Sequence, residues 1–381
     1  MVIRKRIGLS YSYNENWIGG TYYIENLIAA LELLPDDKKP HIVLITNNAH
    51  DAVISKKKIS YPYISYQISS GEKSNFYRFI NRVSNKLFAV RLFSQQIKNL
   101  DAVFPYSNNV QHSLAKTKIY WIADFQEHFV PEFFSEGYIA ERRSVQLVIQ
   151  SSQETLVLSS NDALSHFESL YPNHKVKTRV IPFAVTHPNF ENLAIQELLS
   201  KFNLPSKYFI CPNQFWKHKN HFTVLQAVKE LKDRKIEITV AFTGKQEDYR
   251  NPTYYSDLLS YVDENNLHQN IKFLGFIDRA EQLRLMDQSV SVIQPSLFEG
   301  WSTVVEDSKS LNKALIVSNI KVHVEQLIDS TAIFFDPHNK KGLADILENV
   351  HNSTSEIPLY DHADYRADIK KFGENFMSLL G

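Results

Sequence analysis

The sequence predicts an α/β protein built from two doubly wound parallel sheets that face each other across a cleft. Three observations lead to this prediction. The chain has 381 residues, which is more than one hydrophobic core normally organises. Short apolar runs alternate with longer helical patterns from end to end, as in repeated strand–helix–strand units. Several runs are apolar throughout, such as Ile42–Ile45 and Ala314–Val317, which is typical of parallel strands covered by helices on both faces.

Strands are predicted at regular intervals in both halves of the chain. Those of the first half are 4–10, 41–46, 62–68, 101–105, 118–123, 155–159 and 177–183. Those of the second half are 207–212, 236–243, 271–275, 290–295, 314–318 and 331–335. The helices between them are clearest at 22–34 and 221–233, where apolar residues recur at intervals of three and four.

An irregular stretch from Pro182 to Asn192 follows the last strand of the first half and has no periodic pattern. Such a stretch is expected between domains. We therefore predict one domain over residues 1–185 and a second over residues 186–360.

Composition limits the possible partners and the location. The 42 basic residues balance the 42 acidic residues, so nucleic acid is not an expected partner. Cys211 is the only cysteine, so neither an internal disulfide nor a thiol-rich metal site is expected, and a reducing cytoplasm fits. We found no signal peptide pattern and no apolar run of the roughly 20 residues that span a bilayer. We expect a cytoplasmic protein, attached to a membrane at most by its surface.

Ligands of open α/β sheets bind outside the carboxyl ends of the strands, and four polar clusters follow predicted strands. In the first, Gly19 and Gly20 precede a helix expected from Tyr22, whose free N–H groups would face a phosphate or a sugar hydroxyl. A plain turn with Thr21 as the helix N-cap is an equal alternative.

The second cluster holds Asp124, Gln126 and His128 after the strand 118–123. These side chains can bind sugar hydroxyls or assist proton movement. A surface loop with an ordinary histidine is the alternative, but three polar groups at one strand end favour a functional role.

The third cluster places Lys217 and Lys219 just before a helix that Asn220 is expected to cap. Two ammonium groups beside a helix N-terminus attract a diphosphate. The alternative is a solvated charge pair, although a long loop that also carries Trp216 is unusual for a simple connection.

The fourth cluster begins with Glu299 and Gly300, and a helix is expected to start near Thr303. Thr303 and Glu306 have the spacing of a capping box, which leaves Asp307 free of that role, one helical turn in. A carboxylate there can accept hydrogen bonds from two neighbouring hydroxyls of a sugar.

Together these clusters resemble the retaining glycosyltransferases of family 4, which have the two-domain GT-B fold. The hallmark of that family is a Glu, seven residues and a second Glu. Glu299 and Gly300 match the first position, and Asp307 stands at the second. Beyond it, Asn312-Lys313 replaces a frequent Gly-Lys pair, and Ala314 replaces a proline.

The glycine-rich loop of the family, Gly-Arg-Leu…Lys-Gly, corresponds to residues 213–220. Lys219 matches its diphosphate-binding lysine. Its arginine is absent, and Asn213 or Gln214 occupies that place, with Lys217 available to compensate. The segment from Asp124 to Phe134 is similar to a bacterial polysaccharide-type subgroup.

The resemblance covers nearly the whole chain and is most specific over residues 207–320. It implies a Rossmann-like acceptor domain (1–185), a Rossmann-like nucleotide-sugar donor domain (186–360) and a C-terminal helix (361–381) that crosses back to the first. It also implies retaining transfer of a hexose or deoxyhexose from a nucleotide-diphosphate sugar to a glycan or lipid-linked glycan acceptor, in bacterial surface polysaccharide synthesis.

The resemblance assigns roles residue by residue. Catalytic roles fall to Glu299, Asp124 and His128, and ribose binding falls to Asp307. The donor diphosphate is expected against Lys219, Lys217, Gln214, Gly19, Gly20, Gly300, Trp301, Ser302 and Thr303. The sequence contains no Asp-x-Asp motif, so neither a metal nor another cofactor is expected.

Segment 73–98 carries basic residues, no acidic residue and apolar positions at helical spacing. A basic amphipathic helix there would suit an anionic membrane surface or a lipid-linked acceptor. A core helix with a solvated basic face is the alternative.

Three other functions are alternatives on the same fold. A nucleotide-sugar epimerase would need no acceptor. A glycogen-type phosphorylase would need a lysine-bound pyridoxal phosphate and a much longer chain. A catalytically weak, glycosyltransferase-like binding subunit would fit the departures at the arginine and at Asp307.

Overall fold

The computed structural model describes residues 3–68, 97, 99–107, 115–353 and 365–380. Within these residues the first sheet contains β1 (Arg6–Tyr11), β2 (His41–Thr46), β3 (Ile64–Ile68), β4 (Ala102–Phe104), β5 (Thr117–Trp121), β6 (Thr155–Leu158) and β7 (Lys177–Val180). The second contains β8 (Phe209–Pro212), β9 (Val240–Thr243), β10 (Ile271–Gly275), β11 (Val292–Gln294), β12 (Leu315–Ser318) and β13 (Ile333–Phe335). Every strand coincides with a predicted one.

Helices connect the strands and cover both faces of each sheet. Those of the first half are α1 (Ile18–Glu32), α2 (Ala49–Lys58), α3 (Gln126–Phe129), α4 (Glu136–Ser151) and α5 (Asn161–Leu170). Those of the second half are α6 (Ile195–Lys201), α7 (His221–Asp233), α8 (Tyr254–Glu264), α9 (Arg279–Gln288), α10 (Thr303–Ser310), α11 (Lys321–Gln326), α12 (Lys340–Asn352) and α13 (Tyr365–Ser378).

Both sheets are parallel and doubly wound. The first has the strand order β3-β2-β1-β4-β5-β6-β7 and the second has the order β10-β9-β8-β11-β12-β13. In each sheet the strand order reverses once, between β1 and β4 in the first and between β8 and β11 in the second. The predicted α/β fold class is therefore confirmed, and the two reversal points are where such sheets bind ligands.

Burial follows the position of each strand in its sheet. All four residues of β12, Leu315–Ser318, are buried, because helices cover both of its faces. The edge strand β7 instead exposes Lys177 and Arg179, and charged residues at a sheet edge discourage pairing with another chain.

The last helix, α13, packs against the first sheet although it follows the second in sequence. Phe372 and Phe376 are buried in the same core as α1. Gly373 permits this close packing, because a Cβ atom there would lie 2.7 Å from the carbonyl oxygen of Ala30. The domain limits 1–185, 186–360 and 361–381 stay a proposal.

Two further sequence predictions concern membranes. Among the residues that the structure describes, none of the helices is both long and apolar enough to cross a membrane. The basic segment 73–98 lies outside the described residues except for Ile97, which is buried.

Candidate active site

The carboxyl ends of the two sheets face each other across a cavity of about 170 Å³. The loops that follow β1, β5, β8, β9, β10 and β11 all contribute to its walls. Of the predicted site residues, the cavity is lined by Gly19, Gly20, Asp124, Gln214, Lys219, Glu299, Gly300, Trp301, Ser302, Thr303 and Asp307. The structure therefore brings together most of the residues that sequence reasoning selected from four separate clusters.

Glu299 and Lys219 form an ion pair at the reversal point of the second sheet. Lys219 Nζ lies 2.5 Å from Glu299 Oε1, and the side chains are 14% and 8% exposed. The same oxygen accepts hydrogen bonds from Ser296 Oγ at 2.7 Å and from Gln294 Nε2 at 2.9 Å. Glu299 is thus fixed by three donors on one oxygen, and Lys219 presents its charge at the cavity wall.

Asp307 lies one turn into α10 and contacts the side chains of Arg279 and His187. Its Oδ1 accepts hydrogen bonds from Arg279 Nη2 and, at 3.1 Å, from His187 Nε2. Burial alone would raise the pKa of Asp307, but Arg279 and His187 together hold it below its usual range. The second oxygen, Oδ2, is buried and has no hydrogen-bond partner among the described residues.

Asp124 follows β5 on the opposite wall. Its Oδ1 accepts a hydrogen bond from Arg142 Nη2 at 3.0 Å, and its Oδ2 accepts one from Gln126 Nε2 at 2.7 Å. Arg142 comes from α4, behind the cavity wall. Asp124 therefore lies beside a cation at the cavity wall and can still accept hydrogen bonds from a ligand.

Gly300 is the point at which the two strand-end loops touch. A Cβ atom at Gly300 would lie 1.8 Å from the carbonyl oxygen of Ala123, which directly precedes Asp124. Across the same junction, Ser160 Oγ donates a hydrogen bond to Gly300 O at 2.9 Å. A side chain at Gly300 would force the walls of the cavity apart.

The N-terminal wall is aromatic. Trp17 stacks on Trp121 with ring centroids 5.6 Å apart, and Trp121 stacks on Tyr23 at 4.3 Å. Trp17 is 44% exposed, so one face of this stack is available. Gly20 makes room for it, since a Cβ atom there would lie 2.6 Å from the Trp17 ring.

The structure does not bring His128 to the cavity, so this geometry does not support the catalytic role predicted for it. His128 Nε2 lies 2.9 Å from Gln146 Oε1 on α4. The one-turn helix α3 rotates successive side chains by about 100°. Gln126 therefore lines the cavity with Asp124, whereas His128 faces α4.

Lys217 is likewise absent from the cavity wall. It begins the short 3₁₀ turn Lys217–Lys219, and its ammonium group lies 5.6 Å from the centroid of the Phe133 ring. Its side chain is exposed. This geometry does not support the diphosphate-binding prediction for Lys217, because the turn directs only one of its two lysines inwards.

Neither amide at the position of the missing arginine is free. Gln214 Nε2 donates a hydrogen bond to the carbonyl oxygen of Glu15 at 2.6 Å, across the cleft. Asn213 Nδ2 donates to Gln294 Oε1 at 2.7 Å. Both side chains hold protein groups in position.

The start of one helix and the N-caps of two others were predicted wrongly, although α10 does begin at Thr303 as expected. Helix α1 begins at Ile18, so Gly19 and Gly20 lie in its first turn rather than before it. The N-cap of α10 is Ser302, whose side chain accepts a hydrogen bond from Val305 N. Asn220 lies at the start of α7 but makes no capping bond, since its Oδ1 accepts a hydrogen bond from Thr223 Oγ1 at 2.9 Å and its Nδ2 donates to the carbonyl oxygens of Pro295 and Pro337.

Glu306 does not close a capping box either. Its carboxylate accepts hydrogen bonds from Tyr365 Oη at 2.6 Å, from Gln326 Nε2 at 2.8 Å and from Lys309 Nζ at 3.1 Å. Glu306 therefore ties α10 to α11 and α13. The conclusion that Asp307 is available to the cavity survives, but its stated reason was wrong.

Sequence reasoning missed Arg279, His187 and His218. Arg279 follows β10 and lines the cavity, so the strand-end rule that found the other clusters could have found it. His218 also lines the cavity, and burial, together with Lys219, lowers its pKa well below the usual value. The imidazole of His218 is therefore neutral at pH 7.

Comparison with known proteins agrees with this geometry. Residues 197–373 match the family described as glycosyl transferases group 1. The O-antigen biosynthesis glycosyltransferase WclY of Escherichia coli is 27% identical over 169 residues, which are 44% of this chain and 44% of WclY. This match thus spans less than half of either chain. The resemblance inferred from the sequence is confirmed in the C-terminal half.

Solved structures extend the likeness to the whole chain. A glycosyltransferase from Rickettsia africae ESF-5 has a TM-score of 0.62 at 15% identity, covering 99% of this chain and 93% of that one. Anabaena Alr3699/HepE, solved in complex with UDP and glucose, has a TM-score of 0.64 at 15% identity, covering 99% and 95%. At such identities the likeness shows the fold, which is GT-B.

Among the described residues, no group of three or more His, Cys, Asp or Glu side chains is placed to hold a metal ion. The expectation that the reaction needs neither metal nor cofactor stays a prediction.

Proposed function

We propose that this chain, which has the GT-B fold and matches glycosyl transferases group 1 over its C-terminal half, is a retaining glycosyltransferase of family 4. Its donor would be a nucleotide-diphosphate sugar and its acceptor a glycan or a lipid-linked glycan. The observation that carries the proposal is the Glu299–Lys219 pair, which lies where the strand order of the second sheet reverses and faces the first sheet across the cavity.

The Glu299–Lys219 pair offers the two kinds of contact that a sugar diphosphate needs. Lys219 can neutralise a diphosphate, and Glu299 can accept hydrogen bonds from hydroxyls of the sugar attached to it. The first turn of α10 adds the backbone N–H groups of Thr303 and Val304, and a helix N-terminus favours an anion. These groups are in position before negative charge develops on the leaving diphosphate, which is how such charge is stabilised most effectively.

The proposed reaction breaks the bond between the anomeric carbon and the diphosphate oxygen, and it forms a bond between that carbon and an acceptor hydroxyl oxygen. The acceptor would attack from the face that the diphosphate leaves, so the configuration is retained. A diphosphate oxygen would take the acceptor proton, so no protein nucleophile is needed. Asp124, with Arg142 beside it, would hold hydroxyls on the acceptor side.

The ribose end of the donor is proposed to lie against Asp307. Its Oδ2 is a buried acceptor without a partner among the described residues, and an unpaired buried acceptor is costly. A ribose hydroxyl would supply the missing donor.

The aromatic stack of Trp17, Trp121 and Tyr23 supports an acceptor that contains sugar rings. Aromatic side chains commonly line sites for small organic ligands, and this stack lies on the N-terminal wall with one face available. Together with the match to WclY, it leads us to propose a glycan of the bacterial surface as the acceptor. Contact of segment 73–98 with an anionic membrane would fit a lipid-linked acceptor.

The first test is thermal unfolding with UDP, GDP, dTDP and their common sugar conjugates, without metal and then with Mg²⁺. A ligand at a hundredfold excess over its Kd stabilises the folded state by about 2.7 kcal/mol, so a donor nucleotide should raise the melting temperature. Product analysis with the conjugate that binds would then show the anomeric configuration. If none of these compounds binds, the nucleotide-sugar proposal is refuted. Binding without turnover of any conjugate would favour the binding subunit, and release of an epimerised sugar would favour the epimerase.

A further inference from the structure

The ion pair between Arg279 and Asp307 leaves hydrogen-bonding capacity open on both partners. Arg279 Nη2 donates to Asp307 Oδ1, and no other hydrogen bond of this guanidinium occurs among the described residues. A guanidinium has five N–H groups. Asp307 Oδ2 is buried and has no partner there either. Since buried charges need their remaining hydrogen bonds satisfied, the pair is incomplete by itself.

Arg279 is held in place both by its position in a helix and by a contact of its side chain. It is the first residue of α9, and its guanidinium lies 5.2 Å from the centroid of the Tyr22 ring on α1. Its side chain is 16% exposed and lines the cavity together with Asp307. The N–H groups that Asp307 does not use are therefore available at the cavity wall.

Arg279 also supplies an arginine side chain at the cavity wall, which loop 213–220 lacks. Asn213 and Gln214 are engaged with protein groups, and Lys217 faces outwards. Within the described part of the chain, Arg279 and Lys219 are the Arg or Lys side chains that line the cavity. Lys219 pairs with Glu299 at the sugar end, whereas Arg279 pairs with Asp307 at the proposed ribose end.

A single chemical unit would complete the Arg279–Asp307 pair. A ribose 5′-phosphate carries hydroxyl donors for Asp307 Oδ2 and, across the same sugar ring, phosphate acceptors for a guanidinium, which binds phosphate with paired N–H groups. We propose that Arg279 binds the phosphate that is attached to the ribose of the donor nucleotide. This inference rests on the proposed function and assigns one phosphate of that donor to one residue.

The test measures the affinity of the wild-type protein and of R279Q for uridine, UMP and UDP by calorimetry, with the guanosine and thymidine series in parallel. The gain in affinity from nucleoside to monophosphate isolates the first phosphate. For the base that binds, we expect wild-type protein to show a gain of about tenfold or more, as a hydrogen-bonded charge contact gives. R279Q should lose most of that gain. R284Q, a charge-matched change on the same helix and outside the cavity, should keep it.

R279K separates binding from folding, because it keeps the positive charge beside Asp307 but not the paired N–H groups. It should retain part of the gain even if R279Q unfolds. An equal loss for nucleoside, monophosphate and diphosphate in the Arg279 variants would overturn the inference, since the residue would then act only by positioning Asp307. The inference would also be overturned if wild-type protein binds nucleotides and R279Q shows the same gain in affinity from nucleoside to monophosphate. Wild-type protein that binds none of the nine compounds would refute the proposed function as well.

Discussion

Lys219→Ala removes the ammonium group that neutralises Glu299 in this structure and that would face the leaving diphosphate during transfer. The two charged groups lie 2.5 Å apart, and the Lys219 side chain is 14% exposed. Loss of one preorganised donor from developing negative charge raises the activation barrier by about 2.7–4 kcal/mol. We therefore expect kcat to fall by about a hundredfold to a thousandfold.

Lys219→Ala should affect folding much less than catalysis. Removing one partner of a fully buried ion pair costs about 3–5 kcal/mol. Glu299 keeps the hydrogen bonds from Ser296 at 2.7 Å and Gln294 at 2.9 Å, and Lys219 itself reaches the cavity. We expect the free energy of unfolding to fall by about 1–2 kcal/mol, so the variant should remain folded at 25 °C.

Lys217→Ala is the matched comparison, because it removes the same charge from the same turn. Its ammonium group faces Phe133 outside the cavity, so the variant should keep wild-type kcat and donor affinity. The assay is release of nucleoside diphosphate from the sugar conjugate that binds, with unfolding monitored in parallel. Turnover by K219A within threefold of wild type would refute the reasoning, as would equal losses in both variants.

Three further changes test other parts of the site. Gly300→Ala would place a Cβ atom 1.8 Å from Ala123 O. Because the cavity walls would then move apart, kcat should fall by about a hundredfold. Turnover at the wild-type rate would contradict this prediction. Burial alone would raise the pKa of Asp307, but its ion-paired neighbours hold it below its usual range. The stabilisation that this lowered pKa gives is complete above a pH of about 4 and is lost as the pH falls through the folded-state pKa. D307N should therefore lower the melting temperature at pH 7 but much less at pH 3, and an equal drop at both values would exclude this linkage. Tyr365→Phe removes the 2.6 Å hydrogen bond to Glu306 and should cost about 1–3 kcal/mol of unfolding free energy in urea; an unchanged urea midpoint would count against it.

The strands could be predicted because a strand that is buried on both faces requires a short run of apolar residues, which is visible in the local sequence. A strand such as β2, Ile42–Thr46 of which is buried, needs apolar residues on both faces, and only a parallel sheet between helices provides that environment. The order of the strands in each sheet cannot be deduced from any short stretch of the sequence. It came from the structure, and it explains why the clusters after β1, β8 and β11 matter most, since they flank the reversal points.

Side-chain direction within a cluster could not be predicted in the same way. His128 and Gln126 are two positions apart, yet only Gln126 lines the cavity, because the single turn of α3 was not expected in a loop. Lys217 and Lys219 separate for the same reason within a 3₁₀ turn. One extra or missing turn of helix decides which of two similar side chains can meet a ligand.

Contacts between clusters that are far apart in the sequence could not be predicted from local sequence patterns either. Gln214 meets Glu15, which is 199 positions away, and no spacing rule connects them. This contact matters because the amide that stands at the position of the missing arginine is already used to join the two walls.

Among the residues that the structure describes, three carboxylates line the cavity, and they share an arrangement that bears on how an anionic donor could enter. Each is paired with a cation from a different strand-end loop or helix: Asp124 with Arg142, Glu299 with Lys219 and Asp307 with Arg279. Without these cations, three carboxylates at one cavity would repel a diphosphate. The acidic hallmark positions are therefore compatible with an anionic donor only because a cation is fixed beside each of them. Two of these cations, Arg142 and Arg279, have no counterpart in the hallmark pattern. A search for acidic spacing alone therefore finds the carboxylates that are proposed to bind hydroxyls and misses the cations that are paired with them.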